Sequence, residues 1–149
     1  MRQHYEHQRV ELVEWIKAEQ PIRAIRETVF IHEQAVPVDL EWDGLDPQCA
    51  HVLAWNDLGD AIGTARMQES GTLGRMAVLR DWRGRGVGRL MLNRLLDLAA
   101  KRGLARVTLS AQTHALGFYE KAGFQVIGEP FMDAGIPHRK MEKDLMVQS

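Results

Sequence analysis

The stretch WRGRGVGRLMLNRLLDLAAKRG, Trp82 to Gly103, sets three glycines alternating with arginines directly against a helical pattern. Val87, Leu90, Met91, Leu95, Leu98 and Ala99 step by three and four residues, which predicts a helix with one apolar face. Lys101 and Arg102 suit its C-terminal dipole and Gly103 its stop. The first four amides of a helix have no partner within it and carry the positive end of its dipole, so this start attracts anions. Glycines at 84, 86 and 88 let a bulky anion approach the backbone, and Arg83, Arg85 and Arg89 add attraction and phosphate contacts. The plain alternative is a solvated arginine turn leading into a helix. Two common phosphate loops do not fit: no lysine follows the glycines as a P-loop requires, and the dinucleotide fingerprint would put its third glycine at Arg89.

Working outward, GTLGRMAVL before the turn reads as a strand, beside a hairpin of HVLAWN and AIGTARMQ joined by DLGD. RVELVEW (Arg9 to Trp15) is expected to be a first strand. Pro21 suits the first turn of a helix whose apolar face is Ile22, Ile25, Val29 and Phe30. The acidic stretch from Pro37 to Gln48 is expected to be a loop. Downstream, RVTLSA is a strand, ALGFYEKAG a short helix closed by Gly123, and FQVIG and HRKMEKDLMV final strands. The order implies an α/β (α+β) domain with a mixed sheet carrying helices on its faces.

The 149 residues suit one domain, 1–149, and the formal charge of 19 − 20 = −1 leaves no footprint for general nucleic-acid binding. No apolar run approaches the ~20 residues of a membrane span and MRQHYEHQRV lacks a signal-like core, so a cytoplasmic protein is expected. Cys49, the single cysteine, excludes an internal disulfide and a cysteine-based zinc cluster.

Arg83-Gly84-Arg85-Gly86-Val87-Gly88 has the form [QR]-x-x-G-x-[GA], between a strand ending in MAV and a long helix. It resembles the acetyl-CoA-binding motif of the Gcn5-related N-acetyltransferase (GNAT) superfamily. AQTHALGFYEKAGF (Ala111 to Phe124) resembles a second motif of the same superfamily, A-x-x-[FL]-Y-x-x-x-G-F, in the right order downstream. VFIHEQAVPVDLEWDGLD and GEPFMDAGIPHRKMEKDL extend the likeness to a bacterial subgroup, the ElaA-like acetyltransferases.

The resemblance implies about six to seven strands, mostly antiparallel and splayed between the fourth and fifth, with about four helices. It further implies acetyl-CoA as acyl donor with no metal, and direct transfer to a small-molecule or peptide amine in a ternary complex. The main chain of Met76, Ala77 and Val78 would then pair with the pantetheine amides, and residues 83 to 88 would hold the pyrophosphate. The Val78 amide would donate to the thioester oxygen as negative charge develops there. Tyr119 would protonate the departing thiolate; outside its motif it reads as a core aromatic packed with Phe118 and Phe124. Gln112 stands where many relatives carry asparagine and would contact the cofactor.

An attacking amine must lose a proton, and many relatives use a glutamate on the strand before the phosphate turn. TLGRMAVL has none. Glu33 is the first candidate base, with His138 and His51 behind it; as plain alternatives, Glu33 braces a helix-loop junction and His138 a strand end. Two other functional classes remain: a non-catalytic acyl-CoA-binding or sensing module, and a nucleotide binder unrelated to CoA. A homodimer is the default oligomer.

DLEWDGLD carries Asp39, Glu41, Asp43 and Asp46, but an EF-hand frame puts Ala50 where the bidentate glutamate belongs. A solvated face, or a negative wall that attracts a cationic acceptor, is the expectation. Trp15, Trp42, Trp55 and Trp82 are expected as core and hinge aromatics, Cys49 as packing, and Met67, Met76 and Met91 as core filler.

Overall fold

A computed structural model of the chain describes residues 8–146. Strand β1 (Arg9–Val13) pairs antiparallel with β2 (Ala50–Trp55), which returns as β3 (Ala61–Met67). In the connecting turn Asn56 Oδ1 accepts the amides of Leu58 and Asp60 at 2.9 Å each, the side-chain bonding that makes asparagine a turn residue. Strand β4 (Leu73–Val78) completes a four-stranded antiparallel sheet, β1-β2-β3-β4. Strands β5 (Arg106–Gln112), β6 (Gln125–Asp133) and β7 (Ile136–Asp144) form a second antiparallel sheet in the order β5-β7-β6.

The two sheets meet through one parallel bridge, Thr72 opposite Thr108, where the Thr108 amide donates to Gly71 O at 3.1 Å. Beyond it β4 and β5 part. The expected α+β arrangement of about six to seven strands, opened between the fourth and fifth, is therefore present with seven, its parallel character confined to that bridge.

Helices cover opposite faces of the first sheet. Val52 and Ala54 of β2 pack with α3 (Val87–Lys101) through Met91, Leu92 and Leu95, whereas Leu53 between them packs with α1 (Trp15–Arg26) through Ala18, Ile22 and Ile25. This alternation is the period of a strand buried on both sides. Burying one such aliphatic side chain is worth about 1.5–3 kcal/mol, so α3 is held by its apolar stripe far more than by propensity. The stripe differs from the expected one at a single turn: Leu92 is fully buried and Leu90 is 45% exposed. Gly103 ends the helix region with φ +75° as anticipated.

Three expectations need correction. β1 ends at Val13 and helix α1 begins at Trp15, because Glu14 O already accepts the amides of Lys17 and Ala18. Pro21 therefore lies inside α1, where it forfeits one helical hydrogen bond, and burial of Ala18, Ile22 and Ile25 on either side outweighs that loss. α1 runs on into a π-helical segment, Glu27–Glu33. Finally, the stretch from Pro37 to Gln48 contains helix α2 (Val38–Glu41) and a 3₁₀ turn, Asp46–Gln48.

That stretch is also not a solvated acidic face, since Glu41 and Asp46 are buried among arginines. Arg26, itself fully buried, donates to Glu41 and Asp46 at 2.7 Å each. Arg66 reaches Asp46 at 2.8 Å and Asp43 at 2.5 Å. Arg75 approaches Glu41 at 3.2 Å and Asp43 at 3.3 Å. Three guanidinium groups thus meet three carboxylates; Asp43 keeps one side toward water, and Asp39 is exposed outside the cluster. Trp42 lies between Arg23 and Arg26, each 4.6 Å from its ring, and Arg85 sits 4.8 Å over Trp82. These tryptophans serve as cation-π partners in addition to packing.

Candidate active site

Two local features shape the gap. Between the pairs Thr64–Ala77 and Arg66–Gly74, Ala65 of β3 opposes both Arg75 and Met76 of β4, a β-bulge. Arg75 absorbs the extra residue at φ +51°, a left-handed conformation that costs an arginine about 1–2 kcal/mol. The bulge turns the Arg75 side chain onto the backbone carbonyls of Leu40 and Glu41, at 3.1 Å each. It thereby ties the acidic segment over the gap.

The second feature lies at the end of β4. The Leu79 amide donates to Ile62 O at 2.9 Å, so by the alternation of antiparallel pairing the polar groups of Val78 turn away from β3, toward the gap. Arg83 Nε meets the Val78 carbonyl there at 2.8 Å. Its outer nitrogen donates to both oxygens of Glu33, at 2.9 and 3.0 Å.

The cavity between the strands has a volume of about 490 Å³. It passes through the sheet: Leu92 and Leu95 of α3 line one side, and Phe30, Gln34, Val36 and Leu40 line the other. Tyr119, on helix α4 (Leu116–Lys121), lines it with Met76, and its hydroxyl sits 3.7 Å from Met76 Sδ. Edge-on contacts with Phe118 and Phe124 fix the ring, at centroid distances of 4.9 and 5.8 Å. Burial pushes the phenol up to about 12, so it keeps its proton across the physiological range.

His138 lines the same cavity and is buried. Its Nδ1 lies 2.7 Å from Ile136 O, and since a carbonyl only accepts, Nδ1 carries the proton and Nε2 the free lone pair. Phe131 stacks on the imidazole at 5.8 Å. Gln112 also lines the cavity and donates to Gln34 Oε1 at 2.9 Å, joining β5 to the end of the π-helical segment. Glu33 is not among the residues lining the cavity; it faces Arg83 and, at 3.7 Å, Arg80. His51 lies elsewhere, its Nε2 at 2.8 Å from Asp46 O and its ring 5.1 Å from Trp15, and burial holds it below the usual imidazole range.

At the start of α3, Gly84 and Gly86 have φ +75° and +87°, and a Cβ on either would project into open space. The first helical turn closes with the Leu90 amide on Gly86 O, so the amides of Val87, Gly88 and Arg89 precede it without helical partners. A Cβ on Gly88 would stand 3.3 Å from Phe118 Cζ and 3.6 Å from Met76 Sδ, so glycine there lets α3 pack against the cavity wall.

Residues 3–145 match the family model described as an acetyltransferase (GNAT) domain. The chain belongs to the GNAT family. Among GNAT relatives, it is 40% identical over 123 residues to YjcF of Bacillus subtilis (strain 168), named as an uncharacterized N-acetyltransferase, covering 80% of this chain and 88% of that one. Protein ElaA of Escherichia coli (strain K12) is 29% identical over 130 residues, covering 82% and 84%. The crystal structure of Escherichia coli ElaA superposes with a TM-score of 0.83 at 25% identity, over 92% of this chain and 99% of that one. That of an acyl-CoA N-acyltransferase from Pseudomonas aeruginosa gives 0.81 at 29%, over 91% and 99%. The ElaA-like character expected from the sequence is thus supported at both levels.

GNAT acyltransferases imply an acyl-CoA donor, and the groups around the gap fit one. A Val78 amide faces the gap, partnerless amides open α3, and no side chain crowds the two left-handed glycines. Of the residues named from sequence, Tyr119, Met76, Gln112 and His138 come together around the cavity, and Gly84, Gly86 and Gly88 form the turn beside it. Arg83 is engaged by Glu33 and Val78 O, and Arg85 rests over Trp82. Sequence reasoning missed Arg75 and Gln34. A bulge leaves no mark in LGRMAV, and Gln34 is defined only by a partner 78 residues away.

Proposed function

We propose that the chain is an N-acetyltransferase that moves the acetyl group of acetyl-CoA directly to an amine held on the opposite side of the sheet. The observation that carries this reading is the through-sheet cavity beyond the Thr72–Thr108 bridge, which joins Tyr119 and Met76 to a second, separately walled side. When bound, acetyl-CoA supplies a thioester carbonyl open to attack by a neutral amine. The amides of Val87, Gly88 and Arg89 and the turn at 83 to 88 hold its diphosphate, and β4 at Met76, Ala77 and Val78 holds its pantetheine arm. The Val78 amide donates a hydrogen bond where negative charge develops. Tyr119 holds the proton that the sulfur needs on leaving.

His138, rather than Glu33, is the proposed proton acceptor. Its Nδ1 is committed to Ile136 O, which leaves Nε2 as a lone pair within the cavity wall, whereas the Glu33 carboxylate is bound on both oxygens by Arg83. The test is release of free thiol from acetyl-CoA in the presence of an amine panel. Tyr119→Phe is expected to lower kcat by about 10²-fold or more while CoA affinity, measured by calorimetry, stays close to that of the parent. Tight CoA binding with no amine-dependent thiol release would favour a sensing module instead.

A further inference from the structure

We infer that the acceptor is a primary amine carried on an uncharged, apolar body, such as an arylalkyl or alkyl amine, and not a polyamine or a lysine within a charged peptide. This rests on the acyl-transfer reading above and names the substrate class of the same cavity. The acidic segment that invited a cationic acceptor has no charge to spare, because Glu41, Asp43 and Asp46 are matched by Arg26, Arg66 and Arg75. Besides the arginine-paired Glu41 and Asp43, the segment presents Leu40 to the cavity, 54% exposed, beside Phe30 and Val36.

The opposite wall repeats the pattern. Ile136 lines the cavity from β7, and Phe131, directly across from His138 in the β6–β7 pairing, covers the imidazole and stays 39% exposed. Two elements distant in sequence thus bring the apolar side chains Leu40 and Ile136 to the same cavity. Apart from the paired ions, Gln34 and Gln112 line the cavity, are bonded to each other and carry no charge. Asp133 is the one lining carboxylate outside the ion cluster among the described residues. It sits exposed beside the hairpin tip, where water screens its pull on a cation.

A second ammonium would have to leave water for a wall whose inner carboxylates are already paired with arginines, which a site rejects far more strongly than it rejects a missing methylene. The decisive comparison is hexylamine against 1,6-diaminohexane, which differ essentially by one terminal ammonium, with 2-phenylethylamine and a lysine-containing basic peptide alongside. With acetyl-CoA saturating, kcat/KM for hexylamine and phenylethylamine is expected to exceed that for the diamine and the peptide by about 10-fold or more. Calorimetric binding of the amines to the CoA-loaded protein should follow the same order. Leu40→Asp, at a position 54% exposed, should narrow or invert the hexylamine-to-diamine ratio. Equal or better use of the diamine or peptide by the parent protein overturns the inference and leaves acyl transfer standing, as does binding or turnover of none of the uncharged-bodied amines by a protein that still binds CoA. A protein that does not bind acetyl-CoA removes both readings.

Discussion

Replacing Asp46 by asparagine tests whether the buried ion cluster holds the acceptor side of the molecule in place. Asp46 Oδ1 accepts from Arg26 at 2.7 Å and from Arg66 at 2.8 Å, with all three side chains no more than 5% exposed. The amide is nearly isosteric, so packing is kept while one of three negative charges disappears. Two buried guanidinium groups are then left sharing an uncharged oxygen. Breaking a buried pair from one side typically costs about 3–5 kcal/mol. For a chain of this size each kcal/mol moves Tm by about 2–4 °C, so a fall of roughly 6–20 °C is expected. Calorimetry or circular dichroism reads it directly, and Asp39→Asn, at an exposed position of the same segment, is the control with little effect. A shift for Asp46→Asn no larger than that of the control would refute the view that these charges organise the segment, and with it the argument that they are unavailable to a substrate.

The same cluster sets an acid limb of stability. Burial opposes ionisation of Asp43 and Asp46, yet bonds from Arg66, and for Asp46 also Arg26, hold both below the usual aspartate value of 3.8. Lowered folded-state values mean that their stabilisation is present above about pH 3.8 and is lost as pH falls through the folded values, so acid unfolding should steepen there and Asp43→Asn should flatten it. Gly86→Ala, at φ +87° with open space around it, should cost about 1–2 kcal/mol through backbone strain alone, and Gly86→Asn less. Tyr119 is the only tyrosine left in a Tyr5→Phe variant, and its absorbance at 295 nm should titrate near 12. An ordinary midpoint near 10 in the folded protein would contradict its burial.

The parts of the fold that were legible in the sequence share a local cause. The glycine-arginine turn, the period of α3 and the DLGD hairpin each depend on residues within a few positions of one another. The GFYEKAGF segment was readable because Tyr119 sits in a compact motif. Leu90 and Leu92 illustrate the limit, since both fit a helical stripe and only the sheet beneath decides which is covered. The acidic segment was misjudged because its partners, Arg26, Arg66 and Arg75, come from three different elements and no spacing links them. The resemblance implies that the Glu33 segment walls the acceptor pocket; Arg83, 50 residues on, decides where that carboxylate points.

The gap between β4 and β5 borrows part of its lining from the core. Ala65, Leu73, Leu92, Leu95, Leu109 and Ala111 belong both to the principal core and to the cavity wall. Evolution toward a larger or smaller guest therefore reshapes the very side chains that keep the protein folded, and variants selected for altered preference should show correlated changes in melting temperature.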